Sequence, residues 1–317
     1  MKPEELKNYI TLAKKFAGVN NIIETDKGVI RHESNGRRSI FISQSLIKHF
    51  YWKDKDLPYC PRFTKHTMID GNKIPPTAAM LEGLYFESLC LGQSADGECT
   101  TDLPRDKRTG KKLTAQLKIE EQAMSFPSLC QKHGVFIIRE NNKNVTRNVQ
   151  IKKVIQLEDK DLMEKFPDVD VFISLCADII SPVITETRNY PVAVIDLKWT
   201  GDLTSTFGDY GWGAPKYMDH IQPFLYSYLL DIPFVYWVFD KKGMNKFVPV
   251  NTDVNSTDAN TASEAKLRRK EMLEKIRQTA IKVLVHEDYD GWNTAPLFDI
   301  CKKCPLNCPD RNSEEIV

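Results

Sequence analysis

Between residues 134 and 200 the chain carries four short runs dominated by Val and Ile: GVFIIRE, NVQIKKVIQL, DVFISLCADII and VAVIDLKW. Each is bounded by polar, turn-forming residues. β-branched side chains are restricted in a helix and pack well on a pleated surface, so the spacing predicts successive strands of one sheet. A sheet of this kind must be covered, and the rest of the chain supplies helices. Residues 75–91 (PPTAAMLEGLYFESLCL) start with prolines where a helix can begin. Residues 113–133 and the segment DHIQPFLYSYLLD also read as helices. Residues 264–286 form a long amphipathic helix with Leu267, Leu273, Ile276, Ala280 and Leu284 along one side. PFVYWVFD and KFVPVNT read as a hairpin around KKGM, and residues 20–43 as another around Asn35-Gly36. A further amphipathic helix is expected at 4–17. The fold class is therefore α/β: a central mixed β-sheet flanked by helices, with an N-terminal helical and hairpin extension. No low-complexity linker divides the chain. Residues 1–317 read as a single domain, with 1–74 as the extension, 75–250 as the core and 251–317 as a helix and tail.

The last strand ends unusually. VAVIDLKWTG (192–201) runs from buried apolar residues into Asp196 and Lys198. Residues two apart in a strand point to the same face, so these two project together while Leu197 points into the opposite layer. A salt bridge would explain an arbitrary acid-x-Lys pair. Asp178, in CADII of the preceding strand, changes the balance. It shares a face with Cys176 among apolar neighbours, where a carboxylate is costly unless a cation or metal compensates it. If the two strands adjoin, Asp178 and Asp196 lie close and repel. A divalent ion relieves that repulsion, and hard oxygen ligands suit Mg²⁺ or Mn²⁺. Such an arrangement suits phosphodiester hydrolysis. The ion polarises the phosphate and acidifies a bound water, and Lys198 steadies that water or the charge developing on phosphorus.

Lys and Arg number 44 against 43 Asp and Glu, a formal net charge of +1. A global basic excess is thus absent, but a local basic groove is still available. Arg105, Lys107, Arg108, Lys111 and Lys112, in a glycine-containing loop, are the candidate phosphate contacts. Lys266, Arg268, Arg269 and Lys270 lie on the late helix. Either group also reads as a solvated face. No window reaches the ~18–20 apolar residues of a membrane helix, and MKPEELKNYI holds no apolar signal core. An intracellular protein with no membrane partner is expected.

Of eight cysteines, Cys90, Cys99, Cys130 and Cys176 are scattered and read as ordinary thiols of a reducing compartment. Cys301, Cys304 and Cys308 form C-x2-C-x3-C and can meet one metal centre. Cys60, in YCPRF, is the best candidate for a fourth ligand. Four thiolates suit either an iron–sulfur cluster or Zn²⁺.

Asp178, Asp196 and Lys198 spell D…D-x-K, and Gln222-Pro-Phe-Leu-Tyr226 on the next helix spells Q-x-x-x-Y. On these residues the chain resembles the PD-(D/E)XK nuclease superfamily, and within it the RecB/Cas4-like exonuclease branch. The resemblance implies a restriction-endonuclease-like core and a metal-dependent deoxyribonuclease, an exonuclease of DNA recombination, repair or replication. DNA would be the partner, with a helicase or recombination protein beside it. It implies Mg²⁺ or Mn²⁺ held by Asp178, Asp196 and the backbone carbonyl of Leu197. Glu87 would join them, standing where the branch's G-x-x-x-H places histidine (here Gly83 to Glu87). Lys198 would be catalytic. Gln222 and Tyr226, on one helical face, would orient the DNA backbone or the lysine. Gln222 also reads as the partner of Asp219 in a capping box, and Tyr226 as core. Many such nucleases carry an acid on the strand before Asp178; this chain offers only Gln150 there, so no role is carried over. The resemblance further implies a 4Fe–4S cluster on Cys60, Cys301, Cys304 and Cys308, although the last spacing is shorter than usual and Zn²⁺ is the alternative. The competing reading is a non-catalytic nucleic-acid-binding or scaffold protein of the same fold, stabilised by a cysteine-bound metal.

Overall fold

The computed structural model describes residues 29–52, 55–56, 60–72, 75–92, 103–140, 147–207, 213 and 218–292. The helix expected at 4–17 and the cysteines Cys99, Cys301, Cys304 and Cys308 lie outside them. β1 (Ile30–His32) and β2 (Arg38–Ser43) come first. The expected Asn35-Gly36 turn joins them, with Gly36 at φ +81° and the Glu33 amide bonded to Arg37 O at 2.8 Å. α1 (Gln44–Phe50) is capped by the Ser43 hydroxyl, which accepts from the Leu46 amide. Short pieces follow: β3 (Tyr51–Trp52) paired with β4 (Lys55–Asp56), α2 (Pro61–Thr64) and a π-helical turn at Lys65–Ile69. Then come α3 (Ala78–Leu91) and α4 (Thr114–His133). After them lie β5 (Val149–Gln156), α5 (Lys160–Lys165), β6 (Val169–Ile184) and β7 (Asn189–Thr200). The chain continues through α6 (Leu203–Phe207), α7 (Ile221–Leu230), β8 (Phe234–Asp240), β9 (Asn245–Val250) and α8 (Ala259–Asp288).

Seven strands form one mixed sheet of order β1-β2-β6-β7-β8-β9, with β5 also paired to β6. β2–β6 and β7–β8 are parallel; β1–β2, β6–β7 and β8–β9 are antiparallel. The mixed α/β architecture expected from the sequence is present. β8 reads FVYWVFD and is buried at every position, as a strand covered on both faces must be.

The chain divides into two compact units. The larger includes Pro76–Lys153 and Leu175–Arg269. In it, alternate residues of β7 and β8 (Ile195, Leu197, Val235, Trp237, Phe239) pack against Tyr85 and Phe86 of α3 and Ile119 and Phe126 of α4. The rings interlock, with Phe86–Phe239 centroids 4.9 Å apart and Phe126–Trp237 5.1 Å apart. Burying each such side chain contributes about 2–3 kcal/mol. The other residues of β7 and β8 face α7, where Tyr226 meets Phe234 edge-on at 6.0 Å. The smaller unit includes residues 29–75, Val154–Ser174 and the chain from Lys270. Its β2 runs beside the first half of β6, from Arg38 opposite Val169 to Ser43 opposite Ser174. Arg37 pairs with Asp170 at 2.8 Å and Arg277 with Asp159 at 2.8 Å.

Two local expectations fail, each for a physical reason. GVFIIRE does not pair as a strand. Side chains take several of its backbone groups: Asn148 Oδ1 accepts from the Ile138 amide at 2.7 Å, Asn148 Nδ2 donates to Phe136 O at 2.8 Å, and Ser181 Oγ accepts from the Phe136 amide at 2.9 Å, beside one backbone bond from the Asn148 amide to Ile138 O at 3.0 Å. On α8, Ile276, Ala280 and Leu284 are buried as expected, but Leu267 is 56% exposed, and Ala262, Ala265, Met272 and Val283 extend the buried stripe. The buried face thus departs from the expected one at Leu267.

Candidate active site

The site lies in the larger unit, at the β6–β7 pairing. Ile179 pairs with Ile195 in the antiparallel register, and one step further places Asp178 opposite Asp196. Opposed residues share a face and lie about 4.5–5.5 Å apart at Cα. Both carboxylates are buried, at 6% and 2% exposure. Beyond Ile179–Ile195 a side chain takes over from the ladder: Asp178 Oδ2 accepts the Leu197 amide at 2.8 Å. The contact seen for Leu197 is through this amide rather than its carbonyl, and its side chain lies in the core on the opposite face.

Lys198 projects beside Asp196, with Nζ 2.5 Å from Asp196 Oδ2. The ammonium also stands 5.6 Å from the ring centroid of Tyr236, which β8 sets opposite Asp196. The Lys198 side chain is 32% exposed. Gln222, on the first turn of α7, donates to Asp196 Oδ1 at 2.5 Å. It is therefore not engaged in a capping box; Asp219 Oδ1 accepts instead from the Ile221 amide at 3.0 Å. One turn along α7, the Tyr226 hydroxyl donates to the carbonyl of Cys176 at 3.0 Å. That carbonyl lies two residues before Asp178, so Tyr226 braces β6 and does not touch the lysine through this bond.

Glu87 of α3 also reaches the cluster. Gln150 Nε2 donates to Glu87 Oε1 at 2.5 Å and lies 3.4 Å from Asp178 Oδ1. Gln150 and Tyr236 were not recognisable in the sequence as site residues. A lone amide in a strand and an aromatic in a buried run carry no signal of their own.

Three carboxylates here face one ammonium. Burial, then Asp196, then Glu87 push the Asp178 carboxyl well above the usual carboxylate range, against Lys198 and the Leu197 amide. Burial works to lower Lys198, but Asp196 and Asp178 together outweigh it and hold the ammonium above its ordinary value. Burial, then Asp196, raises both Tyr226 and Tyr236, which stay neutral phenols. Hard oxygen donors with surplus negative charge fit a divalent cation. The buried Asp196 Oδ2 is held by the Lys198 ammonium at 2.5 Å. Among the described residues, however, no three His, Cys, Asp or Glu stand in a metal-holding arrangement. Leu197, Gln222 and Gln150 donate to Asp178 Oδ2, Asp196 Oδ1 and Glu87 Oε1 respectively.

The basic loop is ordered by Asp106, whose Oδ1 accepts from the amides of Arg108 and Thr109. Lys112 pairs with Glu120 at 2.8 Å, while Arg105, Lys107, Arg108 and Lys111 are exposed. On α8, Arg269 binds the end of α7 through Ser227 O and Asp231 Oδ1, both at 3.2 Å, while Lys266 and Lys270 are exposed. Cys60 is buried at the start of α2, in the smaller unit.

No helix among the described residues is long and apolar enough to cross a membrane. No family model and no curated protein matches the chain. A crystal structure of a protein described as "Putative exonuclease", from Eubacterium rectale, is similar over 84% of this chain and 88% of that chain, at 16% identity and a TM-score of 0.49.

Proposed function

We propose that this protein is a metal-dependent deoxyribonuclease that hydrolyses phosphodiester bonds, acting as an exonuclease on DNA ends in recombination, repair or replication. The observation that carries the reading is the opposition of buried Asp178 and Asp196, with Lys198 on the same face and Glu87 adding a third negative charge. Glu87, Asp178, Asp196 and the Leu197 carbonyl would hold Mg²⁺ or Mn²⁺. When bound, such an ion polarises the scissile phosphate and lowers the pKa of a water.

The chain's own residues would do the rest. Gln222 fixes Asp196 Oδ1, and Lys198 pairs with Oδ2. Lys198 stays protonated and would orient the attacking water and offset charge developing on the phosphate. Tyr226 holds the backbone beside Asp178. The exposed basic residues Arg105, Lys107, Arg108 and Lys111 are suited to contact phosphates, and Lys112 would do so in exchange for Glu120. A 4Fe–4S cluster, or Zn²⁺ in its place, would use Cys60, Cys301, Cys304 and Cys308. A helicase or recombination protein is the expected partner.

One observation favours the non-catalytic reading: protein donors, Gln150 among them, already bond the carboxylates. The test is purified protein with linear and circular, single- and double-stranded DNA in Mg²⁺ or Mn²⁺, beside Asp196→Asn and Lys198→Ala. Metal-dependent loss of DNA that both substitutions abolish supports the nuclease. Intact DNA under every condition overturns it and leaves the scaffold reading. An absorption spectrum reports on the thiol centre, since iron–sulfur absorbs broadly near ~400 nm and zinc does not.

A further inference from the structure

Gln150 sits in β5 with φ +51° and 4% exposure. Two other non-glycine residues among those described have positive φ, Asp231 and Asp290. Asp231 is the C-cap of α7 and Asp290 follows α8, places where the left-handed conformation is common. Gln150 is inside a strand, and glutamine lacks the short side chain that eases this conformation in Asn and Asp. Such a conformation persists only where the surroundings enforce it. They do so through Asn148, whose Nδ2 donates to Phe136 O at 2.8 Å and Ile180 O at 2.9 Å, and whose carbonyl accepts the Ile180 amide at 2.9 Å. The strand is pinned two residues earlier, and Gln150 turns its side chain towards the acids.

Its amide nitrogen then sits at 2.5 Å from Glu87 Oε1 and 3.4 Å from Asp178 Oδ1. A buried carboxylate, Asp178, and a half-buried one, Glu87, share this neutral donor. The amide oxygen faces a much weaker partner, the Cys176 thiol at 3.2 Å. A half-turn of the amide costs little on the thiol side. On the acid side it points a carbonyl oxygen at two carboxylates, which is repulsive until a cation stands between them. Hard divalent cations accept side-chain carbonyl oxygens beside carboxylates.

We propose that Gln150 is a ligand of the divalent cation, donating through its side-chain carbonyl, and that the amide bridge from Glu87 to Asp178 is the cation-free position of the same group. The inference rests on the metal-dependent reading above and adds a neutral ligand on β5 to the acids of α3, β6 and β7. It also accounts for the bonded state of Glu87 and Asp178: the nitrogen of the amide holds them until its oxygen is needed.

The test is Mn²⁺ binding to full-length protein by titration calorimetry and electron paramagnetic resonance, without DNA. Wild type is compared with Gln150→Met, which keeps length but has no amide, and with Gln150→Glu. A lost ligand should weaken Mn²⁺ binding of Gln150→Met by about tenfold, and Gln150→Glu should bind more tightly than wild type. An amide that merely fills space gives the opposite sign for Gln150→Met, because its removal frees Glu87 and Asp178; equal or tighter binding overturns the proposal. If Gln150→Met does not fold, Gln150→Glu decides, and unchanged or weaker binding overturns it. Wild type that binds no Mn²⁺ overturns this inference and the nuclease reading together. Wild-type binding with an unaffected Gln150→Met overturns this inference alone.

Discussion

Asp178 accepts the backbone amide of Leu197 at 2.8 Å, so one buried carboxylate takes the place of a ladder partner for the strand that carries Asp196 and Lys198. A change at Asp178 therefore alters both the charge of the site and the local geometry of β7.

Asp178→Asn should stabilise the cation-free protein and abolish DNA hydrolysis. The folded Asp178 carboxyl titrates well above the usual range, so the folded state keeps a proton that the unfolded chain has released. Wild-type stability accordingly falls as pH rises from the ordinary carboxylate pKa towards the raised one. Asparagine keeps an oxygen for the Leu197 amide and removes that slope. A gain on the order of 1 kcal/mol, about 2–4 °C in Tm, is expected in EDTA above that window. Calorimetry across pH checks it, and a Tm below wild type throughout would count against the assignment. Mg²⁺ should raise the Tm of wild type and leave Asp178→Asn nearly unchanged.

Lys198→Ala should lower DNA hydrolysis by at least ~10²-fold, the usual loss when a preorganised charge at a transition state is removed. Lys198→Arg should not restore it, because the planar guanidinium cannot reproduce an ammonium 2.5 Å from Asp196 Oδ2 and over the Tyr236 ring. Single-turnover cleavage with saturating metal measures both. Full activity in either variant would remove Lys198 from the chemistry.

Gln222→Leu tests orientation. It removes the 2.5 Å bond to Asp196 Oδ1 and leaves a carboxylate free to turn. A loss of about tenfold in kcat with little change in KM for DNA is expected of a residue that orients a metal ligand. A change confined to KM would place Gln222 in substrate binding instead.

Asp159, in the smaller unit, provides a control of opposite sign. It caps α5 by accepting the Leu162 amide at 3.0 Å and pairs with Arg277 at 2.8 Å. Burial pushes its carboxyl up, but Arg277 and the Leu162 amide outweigh that and hold it below the usual range. Its contribution is present above the ordinary carboxylate pKa and is lost as pH falls through the lowered one. Asp159→Ala should cost about 1–2 kcal/mol in urea unfolding at neutral pH, and less in acid.

Much of the fold was legible because period and propensity act locally. The Val- and Ile-rich runs at 149–156 and within 169–184 pair as expected, and α3, α4 and α7 lie within the segments that read as helices. Residues 135–139 defied the reading because Asn148, a distant side chain in sequence terms, satisfies backbone groups that composition alone assigns to a ladder. Leu267 defied it because the direction in which α8 meets its neighbours is not a local property.

The same division runs through the site. Strand alternation by itself determined that Asp196 and Lys198 share a face opposite Leu197, since each Cβ direction follows from the pleat. Helical spacing likewise put Gln222 and Tyr226 one turn apart. Only the tertiary structure decided that β6 and β7 are antiparallel neighbours in the register that opposes Asp178 and Asp196. It alone brought Glu87 in from α3, and it alone held Gln150 in a left-handed backbone conformation between the acids. Register and imposed backbone strain depend on contacts across the whole unit, and no window of residues contains them.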